Sequence, residues 1–151
     1  MSSEVLHEGE NVREHDVVWI KNGLIHREDG PAIQHSLGYF AWYFEGKKHR
    51  LDGPAVEWLK GDKEWWVDDL RHREDGPAYI DNTGYLEWYH RGELHRKDGP
   101  AVEYSDGSKE WWINDVQLTE EEFNLWREKK NLNEKLHTTL EEKVKDRKVK
   151  I

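Results

Sequence analysis

Histidine, arginine and aspartate, residues that could do acid–base chemistry, recur together four times along the chain. They belong to the phrase His-Arg-x-Asp-Gly-Pro-Ala, which begins every 23 residues, at His26, His49, His72 and His95. In an enzyme these residue types would serve as general base, anion clamp and orienting acid. An active site needs one asymmetric group, so a fourfold repetition favours a structural turn in which Asp caps, Arg pairs with Asp and His packs beside its strand. We therefore predict that the protein is not an enzyme and has no catalytic residues.

The repeated histidines and arginines also raise the question of a bound ion. Two or three strands per unit, about 4.8 Å apart, would separate successive histidines by roughly 10–14 Å, which is too far to share one ion. The other histidines show no ligand spacing: His7, His15, His35, His90 and His137. Because the chain also has no cysteine, we expect no metal and no cofactor. A small anionic ligand could instead be bound by one arginine column, Arg27, Arg50, Arg73 and Arg96.

The composition is typical of one small folded body with an acidic surface. Hydrophobic residues make up 35% of the 151 residues and charged residues 36%, but nine Trp, six Tyr and three Phe supply the apolar area that a fold needs. The net charge of −9 disfavours binding to nucleic acid or to anionic membranes. No apolar signal segment or membrane span is visible in the sequence, so we expect a cytoplasmic protein.

Further columns with the same 23-residue spacing indicate the architecture. One column of turn-forming pairs predicts two-residue hairpins with positive φ. Its members are Asn22-Gly23, Glu45-Gly46, Asp68-Asp69, Arg91-Gly92 and Asn114-Asp115. The Asp-Gly-Pro sequences and a glycine column mark two more turns in each unit. Short extended runs between these turns predict an all-β, elongated antiparallel meander that is extended unit by unit.

The 23-residue period, the aromatic-containing strands and the glycine-centred hairpins resemble the MORN repeat family over roughly residues 17–118. The phrase His-Arg-x-Asp-Gly-Pro-Ala is similar to a divergent MORN-like group of bacterial and phage proteins. The resemblance implies an array of about four to five units, residues 17–39, 40–62, 63–85, 86–108 and a partial 109–118. Residues 1–16 would then be an N-terminal cap or disordered lead, and residues 119–151 a C-terminal helical cap with a basic tail.

Two aromatic columns run along the predicted sheet, and side-chain alternation places them on opposite faces. The first column is Trp19, Trp42, Trp65, Trp88 and Trp111. Mostly apolar residues follow it two positions later, so we expect it on the inner face. The second column is Ile20, Tyr43, Trp66, Tyr89 and Trp112, flanked by Glu64, Glu87 and Glu110. We expect the second column to meet water and to bind a partner, the alternative being rings that only stack as cross-strand pairs.

The residues after the last predicted strand indicate a helix. Thr119 followed by Glu122 is a capping box, with three glutamates in the first turn. Phe123 and Trp126 share one face and would cover the last β unit. A second apolar stripe follows at Leu132, Leu136, Leu140 and Val144. It would fold back or pair with another copy, so we expect a monomer or a dimer through this helix, with a solvated basic tail at the end.

Three functions fit these features. We expect a non-catalytic protein-interaction module whose second aromatic column and glutamates dock a basic or cation-rich surface. The phage resemblance implies an inhibitor or adaptor acting on a host protein. The first alternative is sequestration of a small anionic ligand or nucleotide by the arginine column, which needs a deep pocket. The second is acidic mimicry of nucleic acid, which needs carboxylates at phosphate-like spacing.

Overall fold

Short strands dominate the computed structural model, which describes residues 7–12 and 14–148, with side chains through residue 145. Within this part the chain forms antiparallel β-sheets and one C-terminal α-helix, which confirms the predicted β class and the helix. The start of the predicted lead and the end of the predicted basic tail lie outside the described residues. The elements are β1 (Gly9–Val12), β2 (Asp16–Lys21), β3 (Leu24–Ile25), β4 (Ile33–His35), β5 (Tyr39–Ala41), β6 (Tyr43–Phe44), β7 (Lys47–Lys48), β8 (Val56–Trp58), β9 (Lys63–Glu64), β10 (Trp66–Val67), β11 (Leu70–Arg71), β12 (Tyr79–Ile80), β13 (Leu86–Glu87), β14 (Tyr89–His90), β15 (Glu93–Leu94), β16 (Val102–Glu103), β17 (Lys109–Ile113), β18 (Val116–Leu118) and α1 (Glu120–Lys148).

The largest sheet in the described residues has 12 strands. Its order is β1-β2-β4-β5-β8-β9-β12-β13-β16-β17-β18, and β3 pairs with β2 beside this path. Strand β1, which lies within the predicted N-terminal lead, pairs with β2 from Gly9 opposite Ile20 to Val12 opposite Val17. Three two-stranded hairpins form separate ladders, β6-β7, β10-β11 and β14-β15. Strand β1 is therefore at the edge of the large sheet.

The hairpin tips have the left-handed backbone that their residue types predict. The non-glycine tip residues have φ between 48° and 63°, and this group includes Glu45 and Arg91. The tip glycines Gly23, Gly46 and Gly92 have φ between 72° and 87°. Positive φ at both central residues is the mark of a two-residue hairpin loop whose twist matches that of its strands. The five predicted tips are thus confirmed.

The first tryptophan column marks where the chain passes from the large sheet into a hairpin. Strands β5, β9 and β13 end one residue before Trp42, Trp65 and Trp88, and the hairpin strands begin one residue after them. Each tryptophan amide still bonds across the large sheet at 2.8 Å, to the carbonyls of Ala55, Ala78 and Ala101. Successive hairpins are joined as well, because tip amides donate to the preceding hairpin, as Gly92 N does to Arg71 O at 2.8 Å. The hairpins therefore form a second hydrogen-bonded stack beside the large sheet.

The buried face of the large sheet can be followed along one row of cross-strand partners, which lie on the same face. The row is Val18, Ile33, Ala41, Val56, Glu64, Tyr79, Glu87, Val102 and Glu110. Ala41, Val56 and Val102 are at most 2% exposed, and Glu64 is 8% exposed. Removing a valine side chain from water in this way contributes about 1.5–3 kcal/mol. Glu64, Glu87 and Glu110 therefore lie on the same face as these valines, and Glu64 is the buried one of the three.

Helix α1 begins at the predicted capping box. Thr119 N donates to Glu122 Oε2 at 2.8 Å, and Glu122 N donates to Thr119 Oγ1 at 3.2 Å. Phe123 is 1% exposed, its ring lies 5.8 Å from that of Trp126, and the helix packs against β17 and β18. This contact confirms the predicted role of Phe123.

The distal half of α1 does not fold back onto the sheet, contrary to one expectation. The helix continues without a break, and the four apolar side chains of the stripe, Leu132, Leu136, Leu140 and Val144, are 52–62% exposed. Its residues are good helix formers with no proline or glycine to end the helix. Pairing with another copy through this stripe stays a prediction. Among the described residues, no helix combines the length and the apolar character that crossing a membrane requires.

Candidate functional site

Each His-Arg-x-Asp-Gly-Pro-Ala loop holds its arginine between a tryptophan and an aspartate. In one loop the Arg73 guanidinium carbon lies 4.0 Å from the Trp65 ring centre, and Arg73 Nε donates to Asp75 Oδ1 at 2.9 Å. Arg73 Nη1 donates to Pro77 O at 3.2 Å. The same guanidinium-to-ring distance is 3.8 Å, 4.1 Å and 4.0 Å at Arg27, Arg50 and Arg96. The predicted Arg–Asp pairing is confirmed, and we call this surface, the first tryptophan column with its four arginines, the arginine–tryptophan face.

The loop contacts limit what the arginine column offers to a ligand. The hydrogen bond from each arginine lowers the pKa of Asp29, Asp52 and Asp75 below the ordinary aspartate value. Because Nε and Nη1 of each arginine are bonded within the loop, an anion would meet only the remaining N–H groups. Anion binding by this column stays a prediction.

The repeated histidines hold successive loops together through their Nδ1 atoms. The backbone N–H of the next hairpin tip donates to Nδ1, as Arg91 N does to His72 at 3.0 Å and Asn114 N to His95 at 3.2 Å. A nitrogen that accepts such a bond carries no proton, so the neutral ring is protonated at Nε2. His95 Nε2 is buried without a partner among the described residues, and burial lowers the pKa of His95. These histidines therefore act as fixed connectors between units.

One group of possible metal ligands converges in the structure although His90 is distant in sequence from His72 and Glu74. His72 Nε2 lies 3.1 Å and His90 Nε2 3.5 Å from Glu74 Oε1, beside a groove of about 610 Å³ between two loops. The sequence spacing gave no sign of this group, because strand pairing brings His90 beside the other two residues. A ligating histidine normally donates its second N–H to an acceptor, whereas His72 Nδ1 accepts from Arg91. Binding a metal would break that bond, so we do not assign a metal centre here.

The second aromatic column, expected to meet water, lies on the same face of the sheet as the row from Val18 to Glu110, and its rings are partly covered. Trp66 Nε1 donates to Glu64 Oε2 at 2.5 Å, which places the ring beside the buried row. Ile20 is 5% exposed, and Tyr43, Trp66, Tyr89 and Trp112 are half-buried. Burial raises the pKa of Tyr43 and Tyr89. The first column, expected inside, is half-buried as well, and arginines cover four of its five rings.

The residues proposed from the sequence as a partner site do come together. Tyr43, Trp66, Tyr89 and Trp112, with Glu64, Glu87 and Glu110, form what we call the glutamate–aromatic face. Strand register brings the three glutamates into one row, and the hairpins bring the rings beside them. Whether this face binds a partner stays a prediction.

Arg71 occupies the centre of the glutamate–aromatic face. Its Nη2 lies 3.4 Å from Glu64 Oε1, and its Nη1 donates to Glu87 Oε2 at 3.3 Å. Its guanidinium carbon lies 5.0–5.5 Å from three ring centres, those of Tyr79, Trp66 and Tyr89. A cation over aromatic faces and between two carboxylates is stabilised by both kinds of charge attraction. This face is therefore built to hold a guanidinium group.

Glu110, the third glutamate of the face, has neutral aromatic donors. Tyr104 OH donates to Oε1 and Trp112 Nε1 donates to Oε2, each at 2.8 Å. In the preceding unit Tyr85 OH donates to Glu87 Oε1 at 2.5 Å, and the Tyr85 and Tyr104 rings lie 5.2 Å apart. The hydrogen bond to Glu110 raises the pKa of Tyr104. The result is a carboxylate fixed among aromatic rings, an arrangement that attracts a cation.

Sequence reasoning missed several residues of this face, among them Arg71, Tyr85 and Tyr104. Arg71 pairs with Trp66 across the β10–β11 hairpin, so counting back from the hairpin tip would have found it. Tyr85 and Tyr104 meet because β13 and β16 are neighbours. No column of the 23-residue period connects these two tyrosines, since they stand at different positions in their units.

Comparison with known proteins does not assign the chain to a family. No protein-family model, no curated protein and no solved structure matches it. The MORN-like resemblance accordingly stays a prediction made from the residues themselves. What the chain does is therefore argued from its two surfaces, the arginine–tryptophan face and the glutamate–aromatic face.

Proposed function

We propose that the chain is an array of four to five 23-residue MORN-like units that acts as a non-catalytic protein-interaction module. Its docking surface is the glutamate–aromatic face, and its partner is a protein with a basic, cation-rich surface. The observation that carries the proposal is Arg71, a guanidinium already held on this face by Trp66, Glu64 and Glu87. By resemblance, the module is an inhibitor or adaptor of the phage type that acts on a host protein.

Charge supports a basic partner. The net charge is −9, and all of the acidic excess lies before residue 119. Complementary charge accelerates association and disfavours acidic competitors more than it raises final affinity. We therefore expect complex formation to slow as salt is added, since screening shortens the reach of the acidic field.

The use of the repeated polar residues supports a non-catalytic role. Arg73 is bonded to Asp75 and Pro77, and His72 Nδ1 accepts from a hairpin tip. Residues bonded in this way hold the loops together. Sequestration of a small anion remains the alternative, favoured by the grooves between loops and opposed by Asp75 and Asp98, which line one of them.

A pull-down with face-specific variants tests the proposal. The immobilised wild-type chain is expected to retain one protein from a bacterial lysate, and a Trp112→Phe/Glu110→Gln variant is expected to lose it. The matched control, Trp88→Phe/Glu103→Gln, changes the same residue types on the arginine–tryptophan face and should retain the protein. Circular dichroism establishes that both variants are folded. Equal retention by both variants, or no retention by wild type, would reject the glutamate–aromatic face as the docking surface.

A further inference from the structure

A cation stands at the same hairpin position in two successive units and is missing from the third. Lys48, Arg71 and Leu94 follow one another at 23-residue intervals. Each lies opposite a ring of the second column across its hairpin, Tyr43, Trp66 and Tyr89 respectively. The three positions are therefore equivalent in register, and Leu94 is the uncharged one among them; the column also has the uncharged Ile25 before them and Gln117 after them.

The two cations reach the aromatic ring of the following unit. Lys48 Nζ lies 4.6 Å from the Trp66 ring centre, and the Arg71 guanidinium carbon lies 5.5 Å from that of Tyr89. One unit further on, the corresponding ring is Trp112. Among the side chains that the structure describes, no lysine or arginine covers Trp112. This ring is therefore left without the cation that its two predecessors have.

Glu110 lacks a cation in the same way. Glu64 and Glu87 each lie within 3.4 Å of Arg71. Within residues 7–12 and 14–145, no basic side chain comes within 4.0 Å of the Glu110 carboxylate. Its hydrogen bonds come from Tyr104 and Trp112, which are neutral. A carboxylate accepts up to about four hydrogen bonds, so both oxygens keep room for another donor.

We propose that this third position binds an arginine side chain of the protein partner, with its guanidinium over Trp112 and paired with Glu110. The inference rests on the proposed function and specifies the chemistry of the partner. A planar guanidinium stacks on a ring and pairs with a carboxylate at the same time, as Arg71 does. Lys48, in the preceding unit, lies over the Trp66 ring but forms no ion pair with a described glutamate of the face. Because the third position offers both a ring and a carboxylate, arginine suits it better than lysine.

The third position is open to such a side chain. Tyr104, which bonds to Glu110, is 38% exposed, so solvent reaches this edge of the face. Leu94 is shorter than arginine and has no polar end. It therefore leaves Glu110 and Trp112 without the guanidinium that Arg71 supplies one unit earlier.

Titration with a defined peptide tests the site. The probe is a short glycine–serine peptide with one arginine, and its counterpart has citrulline, which keeps the shape without the charge. Calorimetry gives the affinity, and the NMR signal of the Trp112 indole N–H reports the location. Wild type should bind the arginine peptide and bind the citrulline peptide about tenfold more weakly, as expected for one lost charged hydrogen bond.

Two substitutions of the same kind locate the effect. Leu94→Arg places the chain's own guanidinium in the position, and it should weaken peptide binding about tenfold and raise the thermal midpoint. Leu70→Arg adds the same charge at an exposed position of the neighbouring hairpin and should leave the affinity within about twofold. Glu110→Gln adds no bulk and should also weaken binding about tenfold.

The outcomes separate this inference from the proposed function. Equal weakening by Leu94→Arg and Leu70→Arg would mean a general charge effect and would overturn the arginine site. If the peptide does not bind wild type while the pull-down partner is lost with Trp112→Phe/Glu110→Gln, the docking face stands and its arginine assignment falls. If the variant Trp112→Phe/Glu110→Gln still retains the pull-down partner, both the docking face and its arginine site are wrong.

Discussion

At the scale of single residues, the repeated arginine makes three different contacts that no other side chain could make together. Its plane stacks on a tryptophan, Nε donates to an aspartate and Nη1 donates to a proline carbonyl. Lysine is a point charge on a flexible stem and cannot reproduce this geometry. The Asp-Gly-Pro turn and the tryptophan are thus coupled through one guanidinium.

Arg73→Lys should therefore destabilise the fold while keeping the charge. Loss of the Trp65 contact and of the bond to Pro77 is expected to lower the free energy of unfolding by about 1–3 kcal/mol. Urea denaturation followed by tryptophan fluorescence measures the change. Arg91→Lys, at an exposed hairpin tip, is the matched control and should leave the midpoint unchanged. Equal midpoints for the two variants would show that the stacked guanidinium contributes nothing.

At the scale of elements, helix α1 is attached to the sheet by its first turns. Phe123 is 1% exposed against β17 and β18, whereas Leu136 is 55% exposed. The capping box sets the start of the helix and so places Phe123 at the sheet. One side chain near the helix start therefore carries much of the docking energy.

Phe123→Ala should release the helix from the sheet. Removing a buried phenylalanine ring costs about 3–5 kcal/mol, since a cavity remains where the ring was. Leu136→Ala on the exposed stripe should change the free energy of unfolding by less than about 0.5 kcal/mol. Denaturation midpoints of the two variants measure the difference. A large effect of Leu136→Ala at increasing protein concentration would instead indicate association through the stripe.

At the scale of the whole molecule, folding shifts the pKa of every tyrosine in the same direction. All six have pKa values raised above the ordinary value of 10.0: Tyr39, Tyr43, Tyr79, Tyr85, Tyr89 and Tyr104. Burial is the main cause for five of them, and for Tyr104 the main cause is its hydrogen bond to Glu110. The folded state thus holds its phenolic protons more tightly than the unfolded chain does.

Stability should consequently fall in alkaline solution. A raised folded-state pKa contributes stability that is fully present below pH 10 and is lost as pH rises through the folded values. Denaturation midpoints measured from pH 8 upward should decline above about pH 10. Phenolate absorbance supplies a direct check, because the native protein should titrate later than the protein in guanidinium chloride. Coincident titration curves would contradict the burial of these rings.

Local features of the fold could be predicted from the sequence because they depend on residues close together in the chain. Asn22-Gly23 and its equivalents need only two residues with positive φ, and the Thr119–Glu122 box needs one helical turn. Arg73 and Asp75 are two positions apart and pair within one loop. In each case the interaction involves only residues that are close in sequence and does not depend on which strands pair.

How far each face of the sheet is covered, and which side chains it brings together, was decided only by the tertiary structure. The sequence by itself determined that the two aromatic columns alternate, but alternation does not say which side is covered. In the structure arginines cover four rings of the first column, and Val56, Glu64 and Val102 are buried on the other face. Arg71 meets Glu87 only because strands that are distant in sequence pair in one register. Contacts of this kind depend on strand register, which is set by the packing of the whole sheet.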